Sequence, residues 1–223
     1  TGRTEDAVPG QTSCTGPLAL GDVDGDGILD LFVGGRVVPG RYPEPATSRL
    51  FRGEGGGFQL DSENSKALGK AGLVNGAIFS DLDGDGRPDL ILACEWGSIR
   101  VFRNASGRLE EMTQALGLTN DLGWWNGVAA GDFDGDGRMD FVASNWGRNT
   151  PYESHRAQPL RLYYGDFNQA GGVDPVEAYF DTAMGKWAPE RPFVGMADGL
   201  PFLRERFSTH RAYAEAGIEE ILG

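Results

Sequence analysis

Residues 18–34, LALGDVDGDGILDLFVG, place an aspartate-rich turn between two apolar runs. The pattern returns at residues 77–93, AIFSDLDGDGRPDLILA, and at residues 128–144, VAAGDFDGDGRMDFVAS. The copies lie roughly 50 to 60 residues apart, which is near the spacing of blades in β-propellers. The runs beside each turn alternate or carry β-branched and aromatic residues, as strands do. The sequence therefore predicts an all-β chain built from propeller blades.

A weaker fourth copy follows at residues 162–174, LYYGDFNQAGGVD, where Asn168 and Ala170 replace two aspartates. We therefore expect about four blades over residues 1–198. The predicted repeats are residues 17–70, 73–118, 124–158 and 159–198. Further strands are expected at residues 48–52 and 99–103, and short helices at residues 64–71 and 109–116.

The end of the chain has helical spacing instead of strand alternation. Apolar residues between Phe202 and Leu222 recur on one helical face, with acids and arginines between them. We predict one or two helices from about residue 200 to residue 222. Residues 199–223 would then form a helical cap over an exposed apolar face, or an insertion.

Each aspartate turn has the spacing Asp-x-Asp-x-Asp-Gly-x-x-Asp, which suits a calcium ion. Side chains at positions 1, 3 and 5 converge on one point, position 7 offers its backbone carbonyl, and position 9 adds a closing carboxylate. Ligands that are all oxygen favour Ca²⁺ over Mg²⁺, zinc or copper. The predicted ligands are Asp22, Asp24, Asp26, Ile28 and Asp30; Asp81, Asp83, Asp85, Arg87 and Asp89; and Asp132, Asp134, Asp136, Arg138 and Asp140.

The fourth turn is predicted as a weaker calcium site, because Ala170 offers no side-chain oxygen. Its candidate ligands are Asp166, Asn168, Gly172 and Asp174. We thus expect three calcium ions, with a fourth site of lower affinity.

Two other interpretations, an EF-hand and an ordinary turn, fit these segments less well than a calcium-binding loop between two strands. An EF-hand needs a glutamate at position 12 and flanking helices, but position 12 is Val33, Leu92 or Ala143, and strand formers follow position 9. An ordinary turn rich in aspartate and glycine would account for one copy, but three copies at regular spacing make that interpretation a poor one.

Charge and hydropathy exclude some partners. The formal net charge is −13, from 33 acidic and 20 basic residues. Such a chain is repelled by nucleic acid and by anionic membrane surfaces. No apolar run is long enough for a membrane span.

Tryptophans near the predicted blade ends are candidate ligand-binding residues. Aromatic rings beside amides can stack on sugars or anchor a protein, although packing between blades accounts for them as well. The candidates are Trp96, Trp124, Trp125, Asn126 and Trp146.

Nothing in the sequence identifies a catalytic group, so no enzyme is predicted. His155 and His210 are the two histidines and each is isolated, while acidic pairs that glycoside chemistry would need are already assigned as metal ligands. A propeller polysaccharide lyase or hydrolase remains a third alternative.

Cys14 and Cys94 are interpreted as free thiols, with a disulfide between them as the alternative. Asn104-Ala105-Ser106 matches the N-glycosylation sequon.

The repeats resemble the FG-GAP/VCBS, integrin-α-like propeller family. The resemblance rests on residues 21–31 and their two counterparts and covers residues 17 to about 180. Further stretches resemble cartilage-acidic-protein-like proteins, which carry such propellers beside an ASPIC/UnbV domain. These stretches are PGRYP at residues 39–43, EW at 95–96, NWG at 145–147, GDF at 165–167, VDP at 173–175, and the tail at residues 200–222.

The resemblance implies an extracellular, cell-surface or periplasmic module for protein interaction or adhesion. Its calcium ions would be structural and would lie on the face opposite the ligand. A carbohydrate-binding, lectin-like propeller is the alternative. The Phe-Gly and Gly-Ala-Pro signatures of the family are absent, and its propellers usually have about seven blades. It stays open whether the chain is a fragment, a half that self-associates through an open edge, or a complete small propeller.

Overall fold

The aspartate loops connect antiparallel strand pairs, and the pairing register is the same in every repeat. In the computed structural model, which describes residues 8–146 and 158–223, the residue before each loop pairs with position 9. The pairs are Gly21 with Asp30, Ser80 with Asp89, Gly131 with Asp140, and Gly165 with Asp174. Because a slip of one residue would turn every apolar side chain to the other face, the shared register also fixes which faces are apolar.

The first of two units is described over residues 8–39 and 44–146 and contains three antiparallel sheets. The first sheet, blade 1, comprises β1 (Thr15–Gly21), β2 (Asp30–Gly35), β3 (Arg49–Glu54) and β4 (Gly57–Asp61). Helix α1 (Ser62–Leu68) follows. Blade 2 comprises β5 (Leu73–Ser80), β6 (Asp89–Glu95), β7 (Arg100–Asn104) and β8 (Leu109–Glu111). Blade 3 pairs β9 (Trp125–Gly131) with β10 (Asp140–Asn145), after a 3₁₀ turn at Leu118–Asn120.

Strand β6 shows how the three sheets stack, because all of its residues are buried. Successive side chains of a strand point to opposite faces. Leu90 and Leu92 pack into one core with Phe32 of blade 1, whereas Ile91 packs into a second core with Phe141 of blade 3. Blade 2 is therefore the middle layer of three sheets that pack face to face.

The first strands of successive blades come into near backbone contact. A Cβ atom on Gly16 would lie 2.5 Å from the backbone oxygen of Val74, and one on Gly76 would lie 2.8 Å from the Cα of Gly127. Larger residues at these positions would push the strands apart. Stacked antiparallel sheets whose first strands converge are the arrangement of a β-propeller, so the predicted fold class is confirmed.

The second unit is described over residues 40–43 and 158–223. Its sheet comprises β11 (Arg161–Gly165), β12 (Asp174–Asp181) and β13 (Lys186–Pro189), which contain the fourth repeat. Four short helices follow: α2 (Phe193–Gly199), α3 (Leu203–Arg206), α4 (His210–Ala214) and α5 (Ile218–Leu222). Val176 and Ala178 of the sheet share a core with Leu203, Ile218 and Ile221.

The C-terminal helical segment is thus confirmed, but its division differs from the prediction of one or two helices. It begins at Phe193 and is broken into four pieces. Pro201 cannot donate a backbone hydrogen bond and separates α2 from α3. Gly217 has an extended backbone that begins α5.

Of the two short helices predicted inside the repeats, one is confirmed and one is wrong. Helix α1 corresponds to residues 64–71, but residues 109–116 begin with strand β8. There the N–H of Met112 donates to the backbone oxygen of Val101 (2.8 Å), and the N–H of Val101 donates to Oγ1 of Thr113 (3.2 Å). Because these bonds extend the pairing with β7, the local amphipathic spacing does not produce a helix.

The two cysteines are free thiols in different environments, so the disulfide alternative is wrong. Cys14 is exposed and Cys94 is buried. Burial raises the pKa of the Cys94 thiol to about 12, which keeps it protonated and unreactive.

We therefore predict that one thiol per chain reacts rapidly with Ellman's reagent at about pH 8, and that the second reacts only after the protein is unfolded. Replacing Cys14→Ser should abolish the rapid phase, whereas Cys94→Ser should leave it unchanged. Two equally rapid thiols in the native protein would contradict the burial of Cys94.

Candidate metal-binding loops

In each complete loop the first aspartate binds the backbone of its own turn. We name the loops 1 (residues 22–30), 2 (81–89), 3 (132–140) and 4 (166–174). Asp22 accepts hydrogen bonds from the N–H groups of Gly25 (2.8 Å) and Gly27 (3.0 Å). Asp81 and Asp132 accept the same two bonds in loops 2 and 3. The six glycines have φ between 76° and 87°, a region that side chains rarely adopt.

The aspartates at positions 3 and 5 accept bonds from the N–H two residues further on. In loop 1 these run from Asp26 to Asp24 (3.2 Å) and from Ile28 to Asp26 (2.7 Å). Loops 2 and 3 repeat both contacts, and each uses the Oδ1 atom. In loop 2, Oδ2 of Asp85 is also bound by the side chain of Arg87 and by Nη2 of Arg103 (3.4 Å).

The aspartate at position 9 links the loop to the rest of its blade. Asp30, which is 1% exposed, accepts from the N–H of Val23 (2.9 Å) and from that of Gly53 in β3 (3.0 Å). Asp89 likewise accepts from the N–H of Leu82 (3.1 Å) and from that of Asn104 in β7 (2.8 Å). One buried carboxylate therefore joins the start of the loop, the second strand and the third strand.

The carboxylates converge enough to hold one ion per loop. In each of loops 1 to 3, single oxygens from three aspartates all lie within 4.8 Å of one another. Oxygens bound to one calcium ion at 2.3–2.6 Å are at most about 5 Å apart, so the donor sets fit calcium. The sets are Asp22, Asp24 and Asp30; Asp81, Asp83 and Asp85; and Asp132, Asp134 and Asp136. Asp26, Asp89 and Asp140 lie outside these sets. All of the predicted ligand roles, including those of the carbonyls of Ile28, Arg87 and Arg138, stay predictions.

Arginines at equivalent positions of the third strands neutralise part of this charge. Nη1 of Arg52 lies 3.0 Å from Asp24 and 3.2 Å from Asp30, and Nε of Arg103 lies 2.7 Å from Asp83. Negative charge still accumulates in loop 2. Burial, with repulsion from Asp83 and Asp85, raises the pKa of Asp89 despite its two backbone hydrogen bonds.

Loop 4 keeps part of the geometry with fewer charges. Asp166 accepts from the N–H of Gly171 (3.0 Å), as the first aspartate does elsewhere. However, Nδ2 of Asn168 donates to Asp174 (3.0 Å), so a neutral amide contacts the carboxylate at position 9. Gln169 has a φ of 58° where the other loops have glycine. A weaker calcium site at Asp166, Asn168, Gly172 and Asp174 stays a prediction.

Asn104 lies between two loops and is fully buried (0% exposed). Its Nδ2 donates to the backbone oxygens of Val23 (2.8 Å) in loop 1 and Pro88 (3.3 Å) in loop 2. Because an N-linked glycan is attached at this nitrogen, the sequon at residues 104–106 is not accessible to glycosylation in the folded chain.

Three of the candidate tryptophans form one cluster at the other end of the strands. The rings of Trp124 and Trp146 stack with centroids 4.1 Å apart, and Trp96 lies 5.3 Å from Trp124 at a tilt of 57°. Trp146 keeps 37% of its surface exposed. Trp96 follows β6 and Trp146 follows β10, whereas loops 2 and 3 precede these strands.

The remaining candidates lie apart from this cluster or outside the described residues. Trp125 packs into the core between blades 2 and 3, and its Nε1 donates to the backbone oxygen of Asp121 (3.0 Å). Asn126 is exposed on β9. His210 packs edge-on against Phe193 at 5.2 Å, and His155 lies outside the described residues. No helix in residues 8–146 or 158–223 is long and apolar enough to cross a membrane.

Sequence reasoning missed three features of the loops. The glycine at position 4 recurs in all three complete copies and could have been found by alignment of the repeats. Arg52 and Arg103 also recur at one offset, after Phe51 and Phe102. Asn104 has no comparable signal, since its partner in loop 1, Val23, belongs to another blade.

Comparison with known proteins identifies the repeat. A model of the FG-GAP-like repeat matches residues 22–92 and 81–143. Together these stretches cover more than half of the chain. No curated protein matches it.

We predict that, in the absence of metal, the aspartates of one loop contribute unequally to the free energy of unfolding. In excess EGTA, Asp30→Ala should lower the free energy of unfolding by about 3 kcal/mol, because two buried N–H groups and Arg52 lose their partner. Asp26→Ala, in the same loop but exposed, should cost less than about 1 kcal/mol. Urea denaturation would measure both, and equal losses would contradict the anchoring role of position 9.

Proposed function

Because the chain belongs to the FG-GAP-like repeat family, we propose that it is a calcium-binding, integrin-like propeller module whose ions hold the strands of its blades together. One observation carries the proposal. Three loops of identical register each bring three aspartate oxygens within 4.8 Å of one another.

The role proposed for the ions is structural. Each loop joins the first two strands of a blade, and in loops 1 and 2 the position-9 aspartate reaches the third strand. A bound cation would supply positive charge that offsets repulsion among four carboxylates in nine residues. The residues themselves bind and orient the ion.

The setting that suits such loops is extracellular, cell-surface or periplasmic. Extracellular calcium modules bind the ion at about 10⁻⁴–10⁻³ M, and the affinity within such oxygen sites depends on the number of charged ligands and the rigidity of the loop. We propose protein interaction or adhesion as the task. The ligand surface would be the strand ends that carry Trp96, Trp124 and Trp146, away from the ions.

The tryptophan cluster also favours a second candidate, carbohydrate binding. Trp124 is held between two rings, and Trp146 stacks on it with 37% of its surface exposed. A rigid aromatic platform of this kind can stack on a sugar ring at low entropic cost.

Calcium is expected to raise the melting temperature strongly. A site at one hundred times its dissociation constant adds about 2.7 kcal/mol, and each kcal/mol shifts a domain of this size by about 2–4 °C. Three occupied sites should therefore raise the transition by about 10 °C or more in scanning calorimetry.

The control carries Asp→Asn at positions 3 and 5 of loops 1 to 3, which keeps the size of each side chain but removes its charge. Its melting temperature should respond little to calcium. An equal melting temperature for the native chain in excess EGTA and in excess calcium would contradict structural calcium.

Carbohydrate binding predicts quenching of tryptophan fluorescence by soluble oligosaccharides, tested with cellohexaose, xylohexaose and chitohexaose. Trp146→Ala should weaken binding by about tenfold or more. Trp187→Ala is the control, because Trp187 lies in the second unit against Arg161. Absence of binding to all three sugars would favour a protein ligand instead.

A further inference from the structure

We propose that calcium binding at loop 1 and calcium binding at loop 2 are thermodynamically coupled, and that Asn104 is the residue that couples them. The inference rests on the proposed calcium-binding function and adds a regulatory property to the same sites.

Asn104 contacts both loops directly through three hydrogen bonds, which its side-chain amide and its backbone N–H donate. Nδ2 donates to the carbonyl oxygen of Val23, at position 2 of loop 1 (2.8 Å), and to that of Pro88, at position 8 of loop 2 (3.3 Å). The backbone N–H of Asn104 donates to Oδ1 of Asp89, at position 9 of loop 2 (2.8 Å). A displacement of either loop must therefore lengthen a hydrogen bond to Asn104.

A second path joins the turn that follows Asn104 to the carboxylates of loop 1. Oδ1 of Asn104 accepts from the N–H of Gly107 (2.7 Å). The carbonyl oxygen of Gly107 accepts from Nη2 of Arg52 (2.7 Å), while Nη1 of Arg52 pairs with Asp24 and Asp30. The path runs from two candidate ligands of loop 1, through Arg52 and Gly107, to Asn104 and the buried aspartate of loop 2.

Burial makes this path stiff. Asn104 is 0% exposed, and the neighbouring Asn64, 3% exposed, donates to the same Gly107 oxygen (2.8 Å). Buried polar groups have no water to replace a lost partner, so breaking any one bond is costly. An ion that orders loop 1 would therefore also restrict Asp89, and by linkage an ion in loop 2 would favour the bound form of loop 1 to the same degree.

Loops 2 and 3 lack such a bridge among the described residues. They border a cavity of about 440 Å³ whose apolar lining includes Leu82, Met112 and Phe141. Arg103 lines this cavity but pairs with Asp83 and Asp85, both in loop 2. Loops 1 and 2, which Asn104 joins, can therefore be compared with loops 2 and 3, which no such residue joins in the described part of the chain.

The test measures calcium affinity by isothermal titration calorimetry with one loop disabled at a time. Asp24→Asn with Asp26→Asn disables loop 1, and Asp134→Asn with Asp136→Asn disables loop 3 with the same change in charge. Disabling loop 1 should weaken calcium binding at loop 2 by about fivefold or more, a typical coupling between sites. Disabling loop 3 should change it by less than about twofold.

Replacing Asn104→Ala should remove the coupling between loops 1 and 2. Asn64→Ala is the matched control, because it removes another buried amide, carried by α1, that binds the same turn at Gly107 but contacts neither loop directly. If Asn104→Ala does not fold, the comparison of disabled loops, made with Asn104 intact, still decides whether coupling exists.

The outcomes separate the two proposals. If loop 2 binds calcium equally well with loop 1 intact or disabled, the coupling is contradicted while the calcium-binding function stands. If coupling persists in Asn104→Ala, or is equally strong between loops 2 and 3, the role of Asn104 is overturned. If no loop binds calcium, the proposed function fails first, and the coupling with it.

Discussion

A buried carboxylate at the ninth position of the aspartate loop is the interaction on which blades 1 and 2 depend. Asp30 and Asp89 each accept N–H bonds from their own loop and from the third strand of the blade. This placement requires the fixed loop length, the shared register and the glycines with positive φ. It also gathers negative charge, which Arg52 and Arg103 neutralise only in part. A cation is the natural complement to the remaining charge.

Much of the fold and of the candidate metal site could be predicted because both are local in sequence. The repeat of nine residues defines the loop, and strand alternation on either side defines the blade. Contacts between blades could not be predicted, because Asn104 and Gly107 meet Val23 and Arg52 only after the sheets stack. The helix predicted at residues 109–116 is wrong for a related reason, since the pairing of this segment with β7 outweighs its helical spacing.

The positions of the tryptophans likewise could not be predicted from the sequence, because they depend on contacts between blades. Trp124 and Trp125 are adjacent, yet Trp124 joins the stacked cluster and Trp125 packs into the core between blades. Composition does not distinguish them. Adjacent strand residues point to opposite faces, but the sequence does not say which of the two faces packs against the neighbouring blade. The resemblance to proteins with an ASPIC/UnbV domain likewise stays a prediction. The family match covers the three complete aspartate loops and extends neither to the fourth repeat nor to the C-terminal helices.

The two ends of the strands thus have different proposed tasks. The loop end would bind calcium and stabilise the blades, and the tryptophan end would meet the ligand. A crystal structure grown with calcium, with diffraction recorded where calcium scatters anomalously, tests this division most directly. We predict one anomalous peak in each of loops 1 to 3, with aspartate oxygens at about 2.3–2.6 Å. Loops without an anomalous peak at saturating calcium would contradict calcium binding by the blades.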